Sequence, residues 1–114
     1  MDIIYNKAIR DKIPEIIRAS GKDYDVKTLS DEDFLIEMEK KLLEEVHEYG
    51  ESGSIMELAD VLEVVYRIAT LRQVDKEELE SLRVDKLKER GGFQKNLFLV
   101  QTTERKRAPT ARGV

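Results

Sequence analysis

Apolar residues recur along this chain at helical spacing, in stretches separated by glycine, serine and charged runs. With about 100° of advance per residue, Phe34, Leu35, Met38, Leu42, Val46 and Tyr49 fall on one arc, which predicts a long amphipathic helix. Ser30, with Asp33 three residues on, suits its N-cap, and Gly50-Glu51-Ser52-Gly53 is expected to break it after Tyr49. A third helix over 55–72 has Leu58, Leu62, Val65 and Ala69 as its central stripe. Ala59, Val61, Val64, Tyr66, Ile68 and Leu71 widen that stripe almost around the cylinder, so this helix is expected to be central and covered on most sides, by the bundle and by a partner subunit. Ser54 with Glu57 has the form of a capping box. Asp75 with Glu78 repeats it for a fourth helix, which ends at Gly91-Gly92.

Before these, a short helix starts near Pro14, placed at its first position, and stops at Gly21. Residues 22–29 have no period and read as a loop. Ile3-Ile4-Tyr5 and the segment 96–101 (NLFLVQ) are short and apolar enough for extended structure, the second pairing with the first or packing on the helices. The fold class is therefore all-α, an antiparallel bundle of about four helices with two short extended segments, one at the N-terminus and one after Gly92. Residues 1–101 make one helical domain, and 102–114 read as a basic, mobile tail.

Composition narrows the chemistry. The chain has 114 residues, 39% of them charged, and no cysteine, which excludes disulfide scaffolds, thiolate zinc sites and thiol nucleophiles. The most apolar stretch, 61–71, is interrupted by Glu63 and Arg67 and is too short to span a bilayer. With no signal peptide at its start, the expectation is a cytoplasmic protein with no membrane partner. A compact chain of this size buries roughly two-thirds of its unfolded surface, so stability is modest and a second copy would add to it.

The net charge of −4 hides a segregation. Residues 1–30 carry six bases and five acids, residues 31–66 two bases and twelve acids, and residues 67–114 twelve bases and seven acids. Such an acidic stretch is either a solvated face or a site with a compensating cation. Position on the helices favours the second. Glu45 projects into the apolar arc, Glu48 sits at its edge, and Glu57 falls between Val64 and Ile68. The short connection makes the two helices antiparallel neighbours, so Glu45 and Glu48 meet Glu57 and Asp60 at one end. Hard oxygen donors without thiolate or histidine suit Mg²⁺, with Mn²⁺ an alternative. Each residue also has a plainer role: Glu57 in a capping box, Asp60 in an ion pair, Glu48 in water. Glu44 lies outside the arc, as a surface group or an auxiliary ligand or base. His47 projects away and is read as exposed.

Basic residues complete the map. Arg83, Lys86 and Arg90 share one face of the fourth helix with Leu79 and Leu82, and Arg10 and Lys12 precede the first helix. Singly, each is as well explained by solvent or by an ion pair. Together with the acids they suit a di- or triphosphate, whose oxygens bridge carboxylate-held metal on one side and meet Arg or Lys on the other. The pattern points to metal-assisted hydrolysis of a phosphoanhydride.

The runs Tyr5-Asn6-Lys7-Ala8-Ile9-Arg10-Asp11-Lys12-Ile13-Pro14, Glu44-Glu45-Val46-His47-Glu48, Glu57-Leu58-Ala59-Asp60 and Arg90-Gly91-Gly92-Phe93, in this order, resemble the MazG-like, all-α nucleoside triphosphate pyrophosphatase superfamily, in the branch related to phosphoribosyl-ATP pyrophosphohydrolase. The resemblance covers about residues 5–99. It implies Mg²⁺-dependent cleavage between the α- and β-phosphates of a nucleotide, giving a nucleoside monophosphate and pyrophosphate. It further implies that Glu45, Glu48, Glu57 and Asp60 hold metal, that Arg10, Lys12 and Arg90 lie near phosphate, and that Glu44 helps orient water. It also implies a homodimer or dimer of dimers. Ala8, where such proteins usually carry a larger aliphatic residue, and Asn96, in place of a basic one, depart from the pattern.

Three rival readings remain at this level. Phosphoribosyl-ATP hydrolysis is a close enzymatic alternative. A non-catalytic helical dimerisation or nucleotide-sensing module is a second, and nucleic-acid binding through the basic tail a third, disfavoured because the acidic body repels a phosphate backbone.

Overall fold

The computed structural model describes residues 2–105, which contain the helices α1 (Ile13–Ala19), α2 (Asp31–Ser52), α3 (Ile55–Leu71) and α4 (Lys76–Arg90) and no strand. The fold is all-helical, as the periodicity predicts. Pro14 occupies the second position of α1, one later than expected, where its missing N–H still costs no hydrogen bond. The sequence boundary after Tyr49 falls short. Helix α2 runs through Gly50 and ends only at Gly53, whose φ of 66° supplies the left-handed turn that closes the helix on the Tyr49 carbonyl. Only Gly53 and Ser54 then separate α2 from α3, and the two pack side by side.

The Ser30 and Asp75 caps form as expected, accepting from the Asp33 and Glu78 amides at 3.2 and 2.8 Å. The third cap differs. Ser54 Oγ accepts from Met56, and the Ser54 amide donates to Ser52 Oγ, so Glu57 does not close a capping box. Its carboxylate is left for other work.

The core is small. Ala8, Met38 and Val64 are buried, with Phe34, Leu42, Ile68 and Leu71 packed against them. Ala8 is delivered by the N-terminal arm, which crosses α2 and α3 and is pinned by Lys7 to Glu44 at 3.3 Å and by Arg10 to Asp60 at 2.7 Å. The small residue at position 8 lets the arm backbone lie close to the helices. Neither expected extended segment finds a partner strand. Ile3, Ile4 and Tyr5 are exposed coil, and every residue from 93 to 105 is exposed, in a turn at 93–96 followed by coil.

The third helix is the middle one of the chain, but its own chain supplies only part of the expected cover. Helix α3 meets α2 on one side and α4 on another, yet Ile55, Met56, Leu58 and Leu62 face solvent. Helix α4 packs on α3 alone. The radius of gyration is 22.3 Å, against about 13 Å for a compact chain of this length. Residues 106–114 of the basic tail lie outside the described residues.

Candidate metal centre

The acid cluster forms at the loop end of the α2–α3 pair. Glu45, Glu57 and Asp60 each present a carboxylate oxygen, and these oxygens all lie within 4.8 Å of one another. Helical geometry accounts for the set. Glu57 and Asp60 are three apart on the first turns of α3, and Glu45 stands two turns before the end of α2, at the same height once the chain reverses.

Glu45 carries the unusual environment. It is only 7% exposed, the one buried charged residue among those described. One oxygen, Oε1, lies 3.4 Å from Lys41 Nζ, while Oε2 is buried with no hydrogen-bond partner. Burial pushes the Glu45 carboxyl above its ordinary range, and the neighbouring Glu48 carboxylate pushes it further against the opposing pull of Lys41. An uncompensated buried oxygen costs on the order of 1–3 kcal/mol, more where the group is charged, unless a ligand satisfies it. Protonated, Glu45 can donate to a neighbouring carboxylate such as Glu48; ionised beside two further carboxylates, it calls for a cation. Three hard oxygen donors in this arrangement fit Mg²⁺ or Mn²⁺.

The remaining residues singled out in the sequence divide into two groups. Glu48 is exposed and outside the triplet, but near enough to raise the Glu45 pKa. Arg10 reaches the centre directly through Asp60, and Glu44 stands beside it, held by Lys7. His47 is exposed and faces Glu51 at 2.9 Å, as expected of a residue outside the apolar arc. Lys12 is exposed at the start of α1. On α4, Arg83 forks onto Glu80 within its own helix, Arg90 lies 3.9 Å from Glu89, and Lys86 is exposed. None of the three α4 bases shares an ion pair with the acid cluster of its own chain; Arg83 and Arg90 face acids of their own helix instead.

Lys41 and Lys7 were not singled out from the sequence. Lys41 sits one turn before Glu45 at the i,i+4 spacing that favours an ion pair, a readable signal; Lys7 finds Glu44 only through the fold. Beside the cluster, Asn6, Lys7, Ala8, Glu37, Lys40, Lys41 and Glu44 line a depression of ≈ 200 Å³. That is below the roughly 300–1,000 Å³ of ordinary ligand pockets.

No family model matches the chain, and no solved structure matches it. An uncharacterized protein of Mycolicibacterium smegmatis is 50% identical over 40 residues, which is 35% of this chain and 41% of that relative. The matched segment thus spans about two-fifths of the relative's length.

Proposed function

We propose that the protein is a divalent-metal-dependent nucleotide pyrophosphohydrolase, cleaving the α–β phosphoanhydride of a nucleoside triphosphate to a monophosphate and pyrophosphate. The observation that carries this reading is that Glu45 combines a buried oxygen without a partner, Oε2, with a place in a triplet whose carboxylates, with those of Glu57 and Asp60, bring oxygens within 4.8 Å of one another. A buried acid of this kind is stable as a cation ligand and poorly explained as packing. The resemblance of the N-terminal, acidic and Arg-Gly-Gly-Phe runs supplies the reaction class.

In this reading Glu45, Glu57 and Asp60 hold Mg²⁺, with Glu48 at the outer edge. The ion, when bound, neutralises phosphate charge and favours ionisation of the attacking water. Glu44, beside the centre, accepts the proton that the water gives up as it attacks. The water oxygen bonds to the α-phosphorus, the bond to the bridging oxygen breaks, and pyrophosphate leaves with the electron pair. Arg10 donates to Asp60 and, with Lys7 and Lys12 on the same arm, offers positive charge to the phosphates.

The test is pyrophosphate release from a panel of NTPs, dNTPs and phosphoribosyl-ATP, with and without Mg²⁺, by the parent and by Glu45→Gln. Turnover that requires the metal and is lost in the variant, with the helical circular dichroism intact, is the expected result. Metal-independent turnover, or unchanged turnover in the variant, overturns it.

A further inference from the structure

A depression beside the metal centre gathers positive charge from a part of the chain that has little of it. Residues 31–66 carry twelve acids and two bases, and both bases, Lys40 and Lys41, line this ≈ 200 Å³ hollow. Lys7 lines it from the N-terminal arm, beside Asn6. Glu37, Lys40, Lys41 and Glu44 fall three or four residues apart on one face of α2, and the arm lies across that face through the Lys7–Glu44 ion pair. Around the helix Lys41 is about 40° from Glu45, so the hollow and the acid cluster are neighbours that share this lysine.

Each of the three ammonium groups is paired in this structure. Lys7 lies 3.3 Å from Glu44 and Lys40 3.1 Å from Glu37, and these four groups all line the hollow, where their charges balance. Lys41 differs. Its partner, Glu45 at 3.4 Å, is outside the lining, and its side chain is 17% exposed, against 45% for Lys7 and 70% for Lys40. Within the lining three positive charges therefore face two negative ones, and the surplus is offset only by an acid of the cluster. Once Glu45 ligates a divalent ion, its charge is taken up and the ammonium is repelled, whichever oxygen it offers. A largely covered ammonium that has lost its carboxylate calls for another anion.

We propose that this hollow is a subsite for the terminal phosphates of the substrate, and for the pyrophosphate they become, and that Lys41 serves it only after Glu45 has been taken up by metal. The inference rests on Glu45 being a metal ligand and names where the leaving end of the nucleotide sits. The lining agrees with a phosphate. It offers three ammonium groups and the Asn6 amide as donors, holds no aromatic ring on which a base could stack, and encloses less space than ordinary ligand pockets. Lys7 and Lys40 bring their own acids with them, so the hollow holds phosphate loosely until Lys41 joins. The exchange makes metal the first ligand and the phosphate end the second, and by linkage each binds more tightly with the other in place.

Glu45→Gln imitates the loaded acid without metal, because the amide keeps the shape of the carboxylate and offers Lys41 no charge. Inorganic pyrophosphate is titrated into the full-length protein in metal-free buffer and followed by amide shifts in nuclear magnetic resonance spectra. Glu45→Gln is expected to bind it at least about fivefold more tightly than the parent, with shifts at residues 6–8 and 37–44. Adding Lys41→Gln is expected to abolish the gain. Glu48→Gln, which removes the same charge one turn further on and leaves Lys41 paired, is expected to change the affinity less than about twofold. The proposal is overturned by no gain in Glu45→Gln, by a gain that survives Lys41→Gln or appears equally in Glu48→Gln, by shifts confined to α4, or by an equal gain for a nucleoside monophosphate. The parent supplies a reading that needs no variant. With Mn²⁺ bound, Lys41 is expected to be acetylated faster while exposed Lys22 is unchanged, as read by peptide mass spectrometry, and an unchanged Lys41 overturns its release. No arm uses turnover, so a protein that cleaves no nucleotide sinks the proposed reaction and leaves the subsite to be judged by these titrations.

Discussion

Lys41 holds one oxygen of Glu45 at 3.4 Å and leaves the other buried with no partner, so a single carboxylate one turn away is half neutralised and half unsatisfied. An ammonium at this distance offsets part of the cost of burying the acid while the cluster is without metal. It leaves the second oxygen without a partner, in a carboxylate that stands in one cluster with Glu57 and Asp60. The relationship makes the acid tolerable in the fold and still available as a ligand.

Metal should therefore stabilise the parent and not the variant. At a hundred times its dissociation constant, Mn²⁺ adds about 2.7 kcal/mol to a fold that binds it at one site, or about 10 °C in a chain of this length. Thermal unfolding with and without Mn²⁺ is expected to show this shift in the parent and to lose it in Glu45→Gln.

Stability of the metal-free protein should fall as pH rises. The folded Glu45 pKa is raised above its ordinary value of 4.5, so between the two values the folded state binds more protons than the unfolded chain. The Glu45 contribution is absent below pH 4.5 and becomes destabilising as pH climbs through the folded value. Urea unfolding in EDTA across this window is expected to show the loss in the parent and a flatter profile in Glu45→Gln. Saturating Mn²⁺ reverses the slope, because the ion favours the ionised form.

Arg10→Ala should separate binding of metal from turnover. The guanidinium lies 2.7 Å from Asp60 and competes with a cation for that oxygen, but the pair is half exposed and worth little. Mn²⁺ affinity, followed by electron paramagnetic resonance, is expected to rise about two- to fivefold. Nucleotide turnover is expected to drop at least about tenfold, because the phosphates lose a charged donor.

Met38→Ala should cost about 2 kcal/mol, the lower end for truncating a buried methionine, since few residues here are fully covered. The urea midpoint checks it. A loss below about 0.5 kcal/mol would mean that the core does not gather around Met38 and Val64.

The helices were legible because each carries its own local signals. Ser30 and Asp75 mark starts that the structure confirms, and the apolar arc of α2 holds Met38 and Glu45 inward while its last members, Val46 and Tyr49, are exposed. Gly50 was misread as a stop because its conformational cost in a helix is only about 1 kcal/mol, which packing against α3 outweighs. The approach of Glu45 to Glu57 and Asp60 was readable too, since an antiparallel reversal of known helices leaves their ends little choice. The bases of α4 were not. Their shared face is a property of one helix, whereas their distance from the acid cluster depends on where α4 leaves α3.

By itself, then, the order of residues determined the four helices, most of their ends, and which acids meet at the α2–α3 loop, because these follow from dihedral preferences, capping and 3.6-residue spacing within short stretches of chain. Only the tertiary structure decided that Lys41 shares Glu45 with the empty side of the cluster, that Arg10 crosses to Asp60, and that α3 and the segment 93–100 stay uncovered in one chain. Those depend on packing between elements distant in sequence, where many arrangements satisfy the same local pattern and the balance of burial against desolvation selects one.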